Sequence, residues 1–147
     1  MADFLLRGAE EADSPAIHAL VRSSRLNPTG LDWRRFIVAV TPDEVVIGCG
    51  QIKPHKDGTR ELASLVVEPS SRNRGVARAI IHRLLVENPP PLYLMCRVEL
   101  CSFYQKFGFV SIHSKDLPRF FQQMQKLSRV FLPMEIQVMM NNGRGES

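Results

Sequence analysis

Cysteine is scarce in this chain: Cys49, Cys96 and Cys101 are its three cysteines in 147 residues. An odd, sparse set is no disulfide framework, and a reducing compartment is its simplest setting. The spacing of Cys96 and Cys101 does not fit a zinc knuckle and no second pair accompanies them, so no metal is expected. No uncharged run approaches the roughly 18 residues that span a bilayer. Met1–Glu11 carries Asp3, Arg7, Glu10 and Glu11 and has no apolar signal-peptide core. A cytoplasmic protein without a membrane partner is therefore expected. Charge of one sign is also lacking in strength: 19 Lys and Arg against 15 Asp and Glu leave +4. That balance suits an anionic ligand. It does not argue for nucleic acid, because the arginines gather at one loop and no aromatic stacking platform accompanies them.

What is present is an ordinary globular composition, 44% hydrophobic and 23% charged. The length fits one domain, residues 1–147, with an ordered core over 4–140 and a polar tail over 141–147. Phe4–Arg7 reads as a first strand. Asp13 or Ser14 with Pro15 starts a helix whose Ile17, Leu20 and Val21 recur at helical spacing. Asn27–Gly30 breaks it. Phe36–Val40 and Val45–Ile52 form a hairpin, and Glu61–Val67 is apolar on both faces, as in a buried central strand. Paired apolar residues from Val76 to Leu85 mark one buried helix face, which Asn88–Pro91 terminates. A strand at Leu92–Cys96 follows, then a short helix over Glu99–Phe107 closed by Gly108, a strand from Phe109, an amphipathic helix through Leu117, Phe120, Phe121, Met124 and Leu127 that ends before Pro133, and a last strand over Glu135–Met140. Strands in a meander followed by a strand–helix–strand unit give a mixed α/β (α+β) sheet of six or seven strands.

The stretch Val66–Ala77 carries the most chemistry. A buried strand runs into a turn that opens a long helix. The first amides of a helix have no intrahelical acceptor, and the helix dipole favours negative charge at that end. Gly75 lets a ligand approach the backbone, and Arg72, Arg74 and Arg78 add positive charge. The loop reads as a phosphate cradle. It reads equally as a helix start with capping arginines on a solvated face. It lacks the Gly-Lys-Ser/Thr ending of a nucleotide triphosphate loop and the three glycines of a dinucleotide fingerprint.

Arg72-Asn73-Arg74-Gly75-Val76-Ala77 resembles the Arg/Gln-x-x-Gly-x-Gly/Ala signature of the GNAT superfamily of acyl-CoA-dependent N-acyltransferases. Ser102–Phe109 is similar to that superfamily's Phe-Tyr-x-Lys-x-Gly-Phe stretch, and the two lie one helix and one strand apart. The order of elements agrees over most of residues 4–140. The resemblance implies a mixed, mostly antiparallel sheet with helices on both faces and a splayed central strand pair. It implies acetyl-CoA as cosubstrate: the amides of Arg72, Asn73, Arg74, Gly75, Val76 and Ala77, with Arg78 nearby, would hold the pyrophosphate. The backbone of Leu65, Val66 and Val67 would pair with the pantetheine arm.

For catalysis the resemblance implies direct attack of a primary amine on the acetyl carbonyl. Tyr104 matches the tyrosine that protonates the departing sulfur in relatives. Glu61, at the start of the central strand, stands where relatives place a carboxylate base, and equally reads as a solvated strand-end charge. Glu99 is a further carboxylate, though a first-turn glutamate needs no catalytic reason. His55 and His113 have no sequence neighbourhood that singles them out. Relatives have Asn leading into the short helix, where this chain has Arg97-Val98-Glu99. Phe120, Phe121 and Met124 are expected to complete the core, while a helix there with Trp33 could roof an acceptor cleft. The expected partners are coenzyme A and an amine acceptor, and a homodimer is allowed. The alternative function is a catalytically silent CoA-binding sensor or partner module.

Overall fold

The computed structural model describes residues 3–131 and 135–143, the side chain of Phe131 excepted. Pro133 and the tail from residue 144 lie outside the described residues. Among the described residues are seven strands: β1 (Leu5–Gly8), β2 (Phe36–Val40), β3 (Val46–Pro54), β4 (Arg60–Val67), β5 (Leu92–Arg97), β6 (Val110–Ser111) and β7 (Ile136–Asn141). The helices are α1 (Ser14–Ser23), α2 (Val76–Glu87), α3 (Cys101–Gln105) and α4 (Arg119–Phe131). The strand order is β1-β2-β3-β4-β5-β7-β6. Pairs β1–β2, β2–β3, β5–β7 and β6–β7 are antiparallel. β4 and β5 run parallel, with Glu61 opposite Tyr93. This is the mixed, mostly antiparallel sheet that the sequence predicts.

The chain divides into two compact units. The first holds the residues through Lys53 together with Leu62–Asn88; the second holds Pro54–Glu61 and the described residues from Pro89 onward.

In the first unit, Ile17, Leu20 and Val21 of α1 are buried with Phe36, Val38 and Val40 of β2, Cys49 of β3 and Val66 of β4. Each large apolar side chain buried this way contributes about 1.5–3 kcal/mol. Trp33 packs against the same cluster, with the Arg34 guanidinium 5.0 Å from its ring centroid. The entry to α1 is fastened by Asp13, which accepts from Arg7 Nη1 and from the Glu10 amide, each at 2.7 Å. The Arg7 hydrogen bond holds the Asp13 carboxyl below the usual carboxylate range. α2 buries Val76, Ile80, Ile81 and Leu84. It seats directly on β3 because Gly48 and Gly50 leave the space: a Cβ at Gly48 would stand 2.9 Å from Val76 Cγ1, and one at Gly50 2.9 Å from Ile80 Cγ2. Two glycines in a strand interior mark such a close approach. At its end, Asn88 Nδ2 donates to the Leu84 carbonyl at 2.9 Å.

In the second unit β5 and β7 are in register from Leu92 opposite Asn141 to Arg97 opposite Ile136. Leu117 and Phe121 pack on Val138, with Phe120 half-buried beside them, so these aromatics do join a core. The expected helix over Glu99–Phe107 is shorter. A 3-10 turn occupies Val98–Leu100, and α3 ends at Gln105. The Phe107 amide donates to Tyr104 O at 3.0 Å and that of Gly108 to Gln105 O at 3.1 Å, which winds the last turn tightly. Gly108, at φ +92°, then turns the chain, and Asn141 Nδ2 holds the Phe107 carbonyl at 2.9 Å.

Candidate active site

The loop between β4 and α2 is built from its own side chains. Val66 and Val67 end β4 in the core. The Glu68 carboxylate accepts from Ser70 Oγ at 2.6 Å and Ser71 Oγ at 3.1 Å, and the Ser70 bond holds its carboxyl below the ordinary value. Arg72 Nε donates to the Val67 carbonyl at 3.1 Å, bracing the turn from the other side. Asn73 and Gly75 both adopt left-handed backbone, φ +65° and +84°. Left-handed residues within a turn point successive N–H groups into one concavity, which favours an anion. α2 begins at Val76 without a side-chain cap, and the first amides of a helix have no intrahelical acceptor.

A Cβ placed on Gly75 would meet nothing within 4 Å. The protein itself does not crowd this position. What requires glycine here is the backbone angle, and the ground in front of it is open for a ligand. Arg72, Asn73, Arg74, Gly75 and Arg78 are exposed, Ala77 is half-buried, and the Val76 side chain is buried, so Val76 can offer only its amide. Arg74 Nη1 lies 3.3 Å from Asp3 Oδ2. Both side chains are more than half exposed, so the pair holds Arg74 only weakly. Arg72, Arg74 and Arg78 thus lie at or beside the start of α2, where a helix favours negative charge.

The strand expected to be apolar on both faces contains an irregularity that its pattern does not signal. Ser64 of β4 sits at φ +57°. Holding a non-glycine residue there costs on the order of 1–2 kcal/mol. The backbone of β4 thus leaves the extended region at one residue immediately before Leu65–Val67. Gln51, fully buried on β3, donates from Nε2 to Ser64 Oγ at 3.0 Å and to Gly30 O at 3.1 Å, and accepts at Oε1 from Arg35 Nε at 3.2 Å. The Cys49 thiol donates to the Ser64 carbonyl at 3.5 Å. The signal available in the sequence is a polar pair, Gln51 and Ser64, inside otherwise apolar strands.

The second unit holds the other candidate residues. Tyr104 lies on α3 with Phe103 and Phe109 edge-on, centroids 5.1 and 6.3 Å away. Burial, and secondarily the nearby Cys96, push its phenol up to about 12, so it keeps its proton throughout the neutral range. Glu61 is not a loose strand-end charge. Its Oε1 lies 2.7 Å from His55 Nε2, and the two side chains are 14% and 9% exposed. A carboxylate can only accept, so Nε2 carries the hydrogen. The imidazole lies flat on Phe120, with centroids 3.6 Å apart. His55, which no sequence neighbourhood singles out, is thus corrected to a partner of a candidate base. The strand-to-strand turn returns His55 and Glu61 to the same place, a distance of six residues that no local pattern signals. Asp57, in that turn, accepts from the Phe120 amide at 3.1 Å and so caps the start of α4. Glu99 pairs with Arg97 at 3.2 Å, both well exposed. Among the described residues no group of three His, Cys, Asp or Glu could hold a metal ion, and no helix is long and apolar enough to cross a membrane.

A family model described as an acetyltransferase (GNAT) domain matches residues 32–111, more than half of the chain. The chain belongs to the GNAT acetyltransferases, and is an acyltransferase of that family. Solved structures agree on the fold. Rv2747 from Mycobacterium tuberculosis, crystallised with CoA, superposes with a TM-score of 0.77 at 21% identity, covering 94% of this chain and 98% of that one. N-acetylglutamate synthase from Neisseria gonorrhoeae, complexed with coenzyme A and N-acetyl-glutamate, gives 0.73 at 18% identity over 95% of this chain and 35% of that one. Ard1 from Thermoplasma volcanium gives 0.70 at 16% identity, over 96% and 98%. No curated protein matches the chain in sequence.

Proposed function

We propose that this chain is an N-acetyltransferase that moves the acetyl group of acetyl-CoA to a primary amine by direct attack. The observation that carries the reading is the open left-handed turn at Asn73 and Gly75, with nothing within 4 Å in front of Gly75. The diphosphate of coenzyme A matches it in charge and in its need for several N–H donors. Arg72, Arg74 and Arg78 reinforce those donors, and the backbone of Leu65, Val66 and Val67 receives the pantetheine arm as an added strand would be received. That two structural neighbours were solved with CoA supports the same ligand.

Acetyl-CoA, when bound, supplies an activated thioester. The residues of the chain do the rest. An amide of the Leu65–Val67 stretch donates to the carbonyl oxygen as it gains negative charge. Tyr104 donates its phenolic proton to the departing thiolate sulfur. Glu61 takes a proton from the substrate ammonium, directly or through water, so that the neutral amine attacks, and the second proton lost by the adduct nitrogen restores the Tyr104 phenol. The complex of one neighbour with N-acetyl-glutamate supports an amine as acceptor.

The test is release of free thiol from acetyl-CoA in the presence of a panel of primary amines, comprising amino acids, polyamines and peptides with free N-termini. Amine-dependent release is expected. CoA binding without any amine-dependent release would make the chain a silent CoA-binding module, and absence of CoA binding would refute the assigned site altogether.

A further inference from the structure

A buried glutamine needs a reason. Gln51 is fully buried on β3, in a unit whose other interior residues are almost all apolar. Placing an uncompensated amide there would be costly, yet both ends of this one are engaged. It binds the Gly30 carbonyl, the Arg35 guanidinium and the Ser64 hydroxyl. Arg35 in turn donates to Gly30 O at 3.1 Å and lies 3.9 Å from Asp32 Oδ2. The network thus ties the loop before β2 to one point on β4. That point is the residue whose backbone would relax if it could, Ser64 at φ +57°. A serine adopts this conformation only where its surroundings over-determine it. The Cys49 thiol holds the same residue by its carbonyl, and the next three residues are Leu65, Val66 and Val67.

We propose that Gln51 is a positioning residue for acyl-donor binding: through the Ser64 hydroxyl it holds that residue of β4 in the left-handed conformation, and so sets the direction in which Leu65–Val67 present their peptide groups. The inference rests on the reading of Leu65–Val67 as the pantetheine-binding edge. Gln51 itself touches no substrate.

The geometry separates this role from mere core packing. If Gln51 acts through the Ser64 backbone, a residue that adopts positive φ without help should make it dispensable, and glycine is that residue. Gln51→Leu is expected to weaken CoA binding and to raise the KM for acetyl-CoA about ten-fold. The double variant Gln51→Leu/Ser64→Gly is expected to return both to within about three-fold of the parent protein while its Tm stays low. A purely structural role predicts the opposite pattern, a low Tm with no recovery of affinity. Should Gln51→Leu fail to fold, Ser64→Ala serves instead. It removes one hydroxyl, and it should weaken CoA binding several-fold where Ser64→Gly weakens it less. Hydrogen exchange of the Leu65–Val67 amides supplies a readout that needs no ligand, and exchange should be faster in Gln51→Leu and restored in the double variant. Unchanged exchange and affinity in Gln51→Leu, or no recovery with glycine, overturns the proposal. Parent protein that does not bind CoA at all overturns the acetyltransferase site instead, while the exchange data still decide whether Gln51 holds Ser64 in place.

Discussion

His55 Nε2 stands 2.7 Å from Glu61 Oε1, and the same imidazole is stacked on Phe120. One side chain therefore connects the start of the central strand to the first turn of α4 within the second unit. Glu61 can be a proton acceptor in catalysis and a structural partner at once, and the two roles separate by substitution. Glu61→Gln keeps an oxygen that can accept from Nε2 but cannot take up the ammonium proton. It should lower kcat with a good amine by about 100-fold, the range of a lost general base, with CoA affinity and Tm little changed. His55→Leu leaves a largely buried carboxylate without its donor and should cost about 2 kcal/mol in urea denaturation. If Glu61→Gln retains full kcat, Glu61 is structural alone.

Gly75 makes a sharper case. Its φ of +84° is strained for any side chain, and the space in front of it is open. Gly75→Glu therefore adds a carboxylate where the diphosphate should sit, and adds backbone strain as well. CoA affinity measured by calorimetry should fall about 100-fold, equivalent to about 2.7 kcal/mol. Gly58 offers the control. It is also left-handed, at φ +89° with nothing within 4 Å, but lies in the turn before β4. Gly58→Glu should leave CoA affinity unchanged, and an equal loss in both variants would remove the phosphate cradle from the loop.

Tyr104 is expected to act as an acid, and its environment fixes the pH range. Burial raises the phenol to about 12 from its ordinary 10. The proton is held below that value and lost above it, so Tyr104 is a competent donor at any pH an assay normally covers. Tyr104→Phe should preserve CoA binding and lower kcat by 10- to 100-fold. Neither protein should show an alkaline limb due to this group below about pH 10. A kcat unaffected by the loss of the hydroxyl would show that the sulfur leaves without it.

Much of this arrangement is legible in the sequence, for definite reasons. The continuous apolar run of Phe36–Val40 reads as a strand and is buried at every position, and the four-residue repeat from Val76 to Leu85 names one helix face, which the structure buries. The helix start at Val76 is legible because Gly75 and the apolar repeat mark it locally. What the sequence conceals depends on partners distant along the chain. Ser64 is left-handed because of Gln51 and Cys49, thirteen and fifteen positions earlier. His55 acquires its meaning from Glu61 and from Phe120, the latter 65 positions later, across elements that no short pattern links. α3 ends early because the chain must tighten toward Gly108, a choice made by the turn and not by helix propensity.

Gly48 and Gly50 lead to the last prediction, because they set how near α2 lies to the sheet and hence where its first amides stand. A Cβ on Gly50 would be 2.9 Å from Ile80 Cγ2, 3.3 Å from Leu65 Cδ1 and 3.4 Å from Leu84 Cδ1. Ile80 and Leu84 are anchored in the core, so they cannot simply swing aside, and the helix must move. Gly50→Val should therefore cost about 1–3 kcal/mol, the range for overpacking a close-packed interior. It should also weaken CoA binding, since α2 and Leu65 both contact the added group. Gly8, in β1, has no positive φ, and a methyl added there would meet nothing within 4 Å. Gly8→Ala should be neutral or stabilise by a few tenths of a kcal/mol through the unfolded chain, with CoA affinity intact. If both variants proved equally stable and bound CoA equally well, the helix would not be seated through these glycines, and the spacing of Gly48 and Gly50 would carry no information about the donor site.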